Sequence, residues 1–207
     1  MTKILNIENL QPQELSQIAQ DLTDGKIAVF PTDTIYGIGS NGFDFSAEAR
    51  IFQAKNRPQD MPLPLLVSSL EEARKYAKVD ETFVKLAQKF WPGSLTILAV
   101  PSETAVQLGF KFSKIALRIP GSEFLVSLVK SMGIPLSATS ANLHGQATSS
   151  NSSEIISSFD GKVDYILLTS ANLQDNTHST IVDISSGSVD ILRQGSISKE
   201  DIENLFN

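Results

Sequence analysis

Six short polar clusters in this 207-residue chain hold groups that bind anions, and each stands at or near the end of an apolar run. Thr32, Asp33 and Thr34 follow IAVF, and Lys55 and Arg57 close a helical pattern. Arg118 lies inside ALRIP, Ser140 and Asn142 follow IPLSA, Ser179 and Thr180 precede IVDI, and Arg193 ends VDILR. Guanidinium and ammonium groups bind carboxylates and phosphates, and small hydroxyls and an amide donate to phosphate or ribose. Each cluster alone also has a structural reading. Lys55 and Arg57 can complement a helix C-terminus, and Thr34 and Ser179-Thr180 can be turn or strand-edge residues. Arg118 in an apolar strand must either face solvent on an edge or meet an anion in a cleft, because a buried unpaired guanidinium is costly.

Other chemistry is disfavoured by what the sequence lacks. Gly37, Gly39 and Gly42 match G-x-G-x-x-G, but PTDTIY separates them from the strand IAVF that a dinucleotide fingerprint would follow directly. There is no G-x-x-x-x-G-K-[ST] loop, no H-E-x-x-H and no G-x-S-x-G, and the two histidines, His144 and His178, lie in polar segments. The absence of cysteine removes thiolate nucleophiles, disulfides and thiolate metal sites together.

The elements that must position these clusters follow from periodicity. Leu15, Ile18, Ala19 and Leu22 predict a helix over 13–22, ending near Asp24-Gly25. Residues 27–30 read as a buried strand and 31–42 as a loop, and Ser46 is placed to cap a helix over 47–55. Further strands are expected at 63–67, 95–100, 115–119, 134–138, 163–168, 180–185 and 189–193. Helices are expected at 69–78, 80–90, 122–131, 154–159 and 198–206, with a serine-rich loop over 139–152. Interleaved strands and helices without a repeat or linker predict one α/β domain, 1–207, built on a large mixed sheet.

Hydrophobic residues at 41% and charged residues at 19% are those of a globular protein. A net charge of −6 argues against a surface made to grip long phosphate backbones and favours small substrates. The N-terminus turns polar before a signal-type apolar segment forms, and no run is long enough to span a bilayer, so a cytoplasmic location is expected.

Taken in order, VFPTDTIYGIG, KNRPQDMPLPLLV, WPGSLTIL, IALRIP, PLSATSANLHG, STIVD and ILRQGSI resemble the YrdC-like threonylcarbamoyl-AMP synthases, from about Ile27 to Ile197. The resemblance implies a twisted α/β sheet with helices around a positively charged concave cleft. It implies a nucleotidyltransferase that joins L-threonine, bicarbonate or CO2 and ATP into threonylcarbamoyl-adenylate and pyrophosphate, for tRNA modification. By the same likeness Lys55 and Arg57 (the catalytic pair), Ser140, Asn142, Thr148 and Arg193 would hold ATP. Thr34, Tyr36, Arg118 and Ser179 would surround L-threonine, with Arg118 able to bind its carboxylate bidentately. Mg²⁺ would arrive on the ATP phosphates and water, with Asp33 a possible helper, and no dedicated metal site is expected.

The product would pass to a separate tRNA threonylcarbamoyl-transferase complex. The alternative is a module that binds double-stranded RNA or tRNA, or an unassigned branch of the family. Met61, Gln194 and His144 depart from the family strings, and the chain resembles the short, single-domain form. The segment PQDMP, 58–62, is expected to help cover the site.

Overall fold

The computed structural model describes residues 1–56, 62–171, 173 and 178–206. Its strands are β1 (Lys3–Asn6), β2 (Ala28–Pro31), β3 (Tyr36–Gly39), β4 (Leu65–Leu66), β5 (Leu95–Ala99), β6 (Ile115–Arg118), β7 (Leu136–Ser137), β8 (Thr139–Ser140), β9 (Tyr165–Leu168), β10 (Thr180–Asp183) and β11 (Asp190–Arg193). Its helices are α1 (Pro12–Thr23), α2 (Phe45–Ala54), α3 (Leu70–Tyr76), α4 (Glu81–Phe90), α5 (Glu103–Gln107), α6 (Glu123–Met132), α7 (Ser152–Phe159) and α8 (Lys199–Glu203).

The expected mixture of α and β is present, but the β-structure divides into two mixed sheets where a single one was expected. One has the order β1-β9-β2-β3-β8 and the other β11-β10-β5-β6-β4-β7. Three strands differ from the sequence reading for identifiable reasons, and helix α5 was not expected. β3 falls inside the expected loop because YGIG has no apolar run; its strand character comes from antiparallel pairing with β2 and β8. β8 is a two-residue polar edge that exists only through that pairing. β1 is a half-exposed edge strand that pairs with β9 in parallel. The cap of α2 is Asp44, which accepts from the amides of Ser46 and Ala47 at 2.9 and 3.0 Å, and not Ser46. A carboxylate two residues earlier reaches both orphan amides and favours the positive helix end.

Side-chain alternation assigns the sheet faces. In the first sheet Ile27, Val29, Ile38 and Ile166 pack with α2 and α7, whereas Ala28, Phe30, Tyr165 and Leu167 pack with α1 and α6. Both faces are covered, which is why the interior strands β2 and β9 read as unbroken apolar runs. In the second sheet Leu95, Ile97, Ala99, Ile115, Leu117 and Val182 face a core shared with α3 and α4. Burying each of the larger of these side chains contributes about 1.5–3 kcal/mol, so the register is strongly set. A one-residue slip of β6 would carry Arg118 into that core. The other face of the same strands carries Thr96, Leu98, Ala116, Arg118 and Ile181, and it borders a cleft.

The two sheets meet where β3 runs into the bend before β7. Ser137 donates its amide to the Ser40 carbonyl at 2.8 Å, and a Cβ on Gly39 would stand 1.7 Å from the Ser137 carbonyl oxygen. Gly37 and Gly42 are similarly closed in, by the Phe30 ring and the Pro135 carbonyl. The glycines of the G-x-G-x-x-G match therefore serve close packing, Gly39 and Gly42 between the sheets and Gly37 within the first. Gly39→Ala is expected to lower stability by about 3 kcal/mol or more, because backbone must move on both sides. A urea-unfolding midpoint unchanged from that of the parent chain would refute this account of the junction.

Candidate functional site

The cleft between the sheets has a volume of about 600 Å³. The first sheet supplies Thr32, Thr34, Tyr36, Thr139 and Ser140 to its wall, and the second supplies Thr96, Lys114, Arg118, Ser179 and Arg193. Residues far apart in sequence thus converge because one face of the second sheet is left without a helix.

At one end stands Lys55, the C-cap of α2, only 2% exposed. Its Nζ donates to the Ser140 carbonyl, and to Thr139 Oγ1 and Asn142 Oδ1, both at 3.3 Å. Ser140 Oγ donates to Asn142 Oδ1 at 2.6 Å, and the Asn142 amide donates to the Gln146 carbonyl at 2.7 Å. The lysine of K-x-R and the serine and asparagine of S-x-N are therefore one hydrogen-bonded unit. Ser140 is on the cleft wall, with Lys55 and Asn142 bonded directly to it. Thr148 is a partly buried residue of the irregular stretch before α7 and is not on that wall. His144 follows Asn142 in an exposed turn and donates its amide to the Lys55 carbonyl at 2.8 Å. Arg57, Met61 and most of the PQDMP segment lie outside the described residues.

At the other end Arg118 is 8% exposed on an interior strand, which resolves its two readings in favour of an anion in the cleft. That anion is the protein's own. Arg118 Nη2 lies 2.7 Å from both carboxylate oxygens of Asp33, and Nε donates to the Gly93 carbonyl at 2.8 Å. The Nε–Nη2 edge of the guanidinium is thus occupied by Gly93 and Asp33 in this structure. Burial lowers the Arg118 pKa from its ordinary value and the Asp33 charge works against that; a guanidinium remains charged throughout.

Ser179 Oγ is 2.9 Å from Thr96 Oγ1, and Arg193 donates from Nη2 to Ser179 Oγ at 3.0 Å and from both Nε and Nη2 to the Ser179 carbonyl. Thr180 points the opposite way, where its hydroxyl binds the Ile197 carbonyl and the amides of Gly195 and Ile197. Of this hydroxyl pair, strand alternation gives the cleft only Ser179. Burial, and then the neighbouring Arg118 charge, lowers the Arg193 pKa, and burial followed by the Arg193 charge lowers that of His178, which also borders the cleft. Thr34 is buried with its hydroxyl 3.0 Å from that of Thr32. Tyr36 offers its ring, since its hydroxyl is engaged by Ser152 and by the Thr169 amide.

Sequence reasoning passed over Thr96 and Lys114. A lone threonine in LTILAV at the phase opposite to Leu95 and Ile97 was the available signal for the first. Lys114 bonds the buried Asp183, which also accepts from the Ser185 amide and hydroxyl. Burial pushes the Asp183 carboxyl upward, but the Lys114 and Ser185 hydrogen bonds outweigh it and hold the group below its ordinary value. A carboxyl with a lowered folded pKa contributes stability that is fully present above its unfolded pKa, about 3.9, and lost as pH falls through the folded value. Asp183→Asn is accordingly expected to be less stable near neutrality, and to lose less stability than the parent between about pH 5 and pH 2. Parallel acid dependence of the two urea midpoints would refute this.

Among the described residues there is no group of three or more His, Asp or Glu side chains able to hold a metal ion, and Asp33 is committed to Arg118. No helix among the described residues is long and apolar enough to cross a membrane.

The family model Sua5/YciO/YrdC, described as "Telomere recombination", matches residues 20–195. A threonylcarbamoyl-AMP synthase of Pyrococcus abyssi is 32% identical over 209 residues, covering 100% of this chain and 61% of that protein. The crystal structure of P. abyssi Sua5 complexed with L-threonine superposes with a TM-score of 0.88 at 32% identity, over 99% of this chain and 61% of that one. E. coli YciO superposes with a TM-score of 0.86 at 25% identity, over 98% of this chain and 100% of its own. The chain thus spans about three-fifths of the length of its P. abyssi relative.

Proposed function

The chain belongs to the Sua5/YciO/YrdC family, and from that premise we propose that it is a threonylcarbamoyl-AMP synthase acting on L-threonine, bicarbonate or CO2, and MgATP. The observation that carries this reading is the convergence in one cleft of two polar ends. One is the Lys55–Ser140–Asn142 unit and the other is formed by Arg118, Ser179 and Arg193. The reaction has to hold two anions that repel each other, a nucleotide triphosphate and an amino acid carboxylate, with their reacting atoms adjacent. A cleft with cationic groups at both ends meets that requirement through positioning and electrostatics, without a protein nucleophile.

The threonine amine adds to CO2 and gives up a proton to form a carbamate; from bicarbonate that proton leaves with the displaced hydroxyl as water. A carbamate oxygen then attacks the α-phosphorus of ATP, the bond from that phosphorus to the β-phosphate bridging oxygen breaks, and pyrophosphate leaves. Lys55, with Arg57 and Arg193, stabilises the phosphate charge; Ser140, Asn142 and Thr148 orient the nucleotide. Thr34, Tyr36, Arg118 and Ser179 hold L-threonine. Magnesium, if bound, would arrive with ATP and would supply neutralisation of phosphate charge.

The P. abyssi protein's crystallisation with L-threonine supports the amino acid assignment. The adenylate would be consumed, in the cytoplasm, by a separate enzyme that transfers the threonylcarbamoyl group to tRNA. The net charge of −6 supports a small-molecule site over the RNA-binding alternative. The deciding experiment follows pyrophosphate and AMP release from MgATP with L-threonine and bicarbonate each present or omitted. Pyrophosphate release that requires both supports the synthase; ATP turnover indifferent to L-threonine, or salt-dependent RNA binding without turnover, overturns it.

A further inference from the structure

The turn between β2 and β3 places one acid, Asp33, against the guanidinium that is read above as the carboxylate anchor. Thr32 fixes this turn. Its Oγ1 accepts from the amides of Thr34 and Ile35 at 3.0 and 3.1 Å and donates to the Ile35 carbonyl at 2.6 Å. Asp33 at the turn's tip rests on Gly121, where a Cβ would lie 3.0 Å from Oδ2 and 3.2 Å from Cβ and Cγ of Asp33. The Asp33 side chain is 19% exposed and that of Arg118 is 10% exposed. The segment R-I-P-G, 118–121, thus supplies both the guanidinium and the gap that admits its carboxylate partner.

The arginine is held on two sides. Nε is used by the Gly93 carbonyl and Nη2 by both Asp33 oxygens. Among the described residues Nη1 takes no hydrogen bond, and no sealed-off side-chain polar atom lacks one, so Nη1 is open to the cleft. Holding a long side chain in one rotamer before the ligand arrives removes an ordering cost from binding.

We propose that Asp33 is the positioning residue of the amino acid subsite, fixing Arg118 so that Nη1 is the donor offered to the substrate carboxylate; this rests on the synthase reading above. Asp33 has no contact with nucleotide in this role. Its loss therefore weakens L-threonine recognition and leaves ATP recognition in place.

The test is calorimetric titration of L-threonine and of MgATP, with steady-state kinetics, on the parent chain and on Asp33→Asn, Gly121→Ala, the double variant and Arg118→Ala. Asp33→Asn keeps the shape and removes the charge. Gly121→Ala keeps the charge and displaces the carboxylate. Each single variant is expected to raise the Kd and KM for L-threonine by about tenfold or more, with MgATP affinity within about twofold of the parent. The double variant should be no worse than Asp33→Asn alone, because both changes break one contact. Equal losses for threonine and ATP, or additive single effects, would mark a general structural role and overturn the proposal. A normal threonine Kd in Asp33→Asn beside a weakened one in Arg118→Ala overturns it while leaving the subsite assignment intact. A parent chain that binds no L-threonine overturns both.

Discussion

Lys55→Met is expected to abolish measurable pyrophosphate release, lowering kcat/KM for MgATP by about 100-fold or more, the scale on which removing a preorganised charge-stabilising donor acts. Methionine keeps much of the buried stem and removes the ammonium. The Ser140 carbonyl and Asn142 Oδ1 then lose a charged donor where Lys55 is only 2% exposed. Hydrogen bonds to a charged group are each worth about 1.5–3 kcal/mol, so a stability loss of about 2–3 kcal/mol should accompany the kinetic loss. Arginine should not rescue activity, because its larger planar head does not fit a site shaped around one ammonium. The measurement is steady-state turnover at 25 °C, where the folded fraction is checked by circular dichroism. Folded Lys55→Met protein with more than about a tenth of parental turnover would remove Lys55 from the phosphate-binding role.

Arg118→Ala is expected to have the second largest effect, and one that can be separated into two parts. Threonine-dependent turnover should fall by about 100-fold through a higher KM for L-threonine. Stability should fall by about 3 kcal/mol, at the low end for a broken buried pair, because the uncompensated Asp33 carboxylate is not wholly sealed from water. Combining Arg118→Ala with Asp33→Asn removes the stranded charge. The double variant should regain most of the lost stability, seen in the urea midpoint, and none of the lost activity. If stability is not regained, the Asp33–Arg118 pair is not what holds the turn between β2 and β3 against the second sheet. Arg118→Lys retains the charge but cannot serve Gly93 and Asp33 while keeping a donor in the cleft, and an intermediate loss of about tenfold is expected.

These effects share an origin in the second sheet. A parallel strand pair such as β10 and β5 is usually buried on both faces. Here one face is helix-covered and the other carries Thr96, Arg118 and Ser179 beside Leu98, Ala116 and Ile181. The apolar residues of this face keep the strands extended and their polar neighbours desolvated, which strengthens each electrostatic contact inside the cleft.

Much of this was legible in the order of residues. Apolar periodicity located most of the helices and the strands with apolar runs, but not β1 or β3, since burial of an alternating or three-and-four pattern is decided locally. The family strings grouped Lys55, Arg118, Ser140, Asn142, Ser179 and Arg193 as expected site residues, and the arginine inside ALRIP called for an anion. The sequence could not say that Arg118's anion is Asp33, because 85 residues separate them and only the apposition of the two sheets brings them together. Nor could it tell Ser179 from Thr180, a choice made by which face of β10 meets the core. The glycines of GIGSNG, suggestive of a nucleotide loop when read alone, proved to be packing positions: Gly39 and Gly42 lie against backbone leading into β7 of the other sheet, and Gly37 lies against the Phe30 ring of its own. Local patterning determines elements because it depends on neighbours in the chain. The site depends on which faces are left uncovered after the elements pack, and that is fixed only in three dimensions.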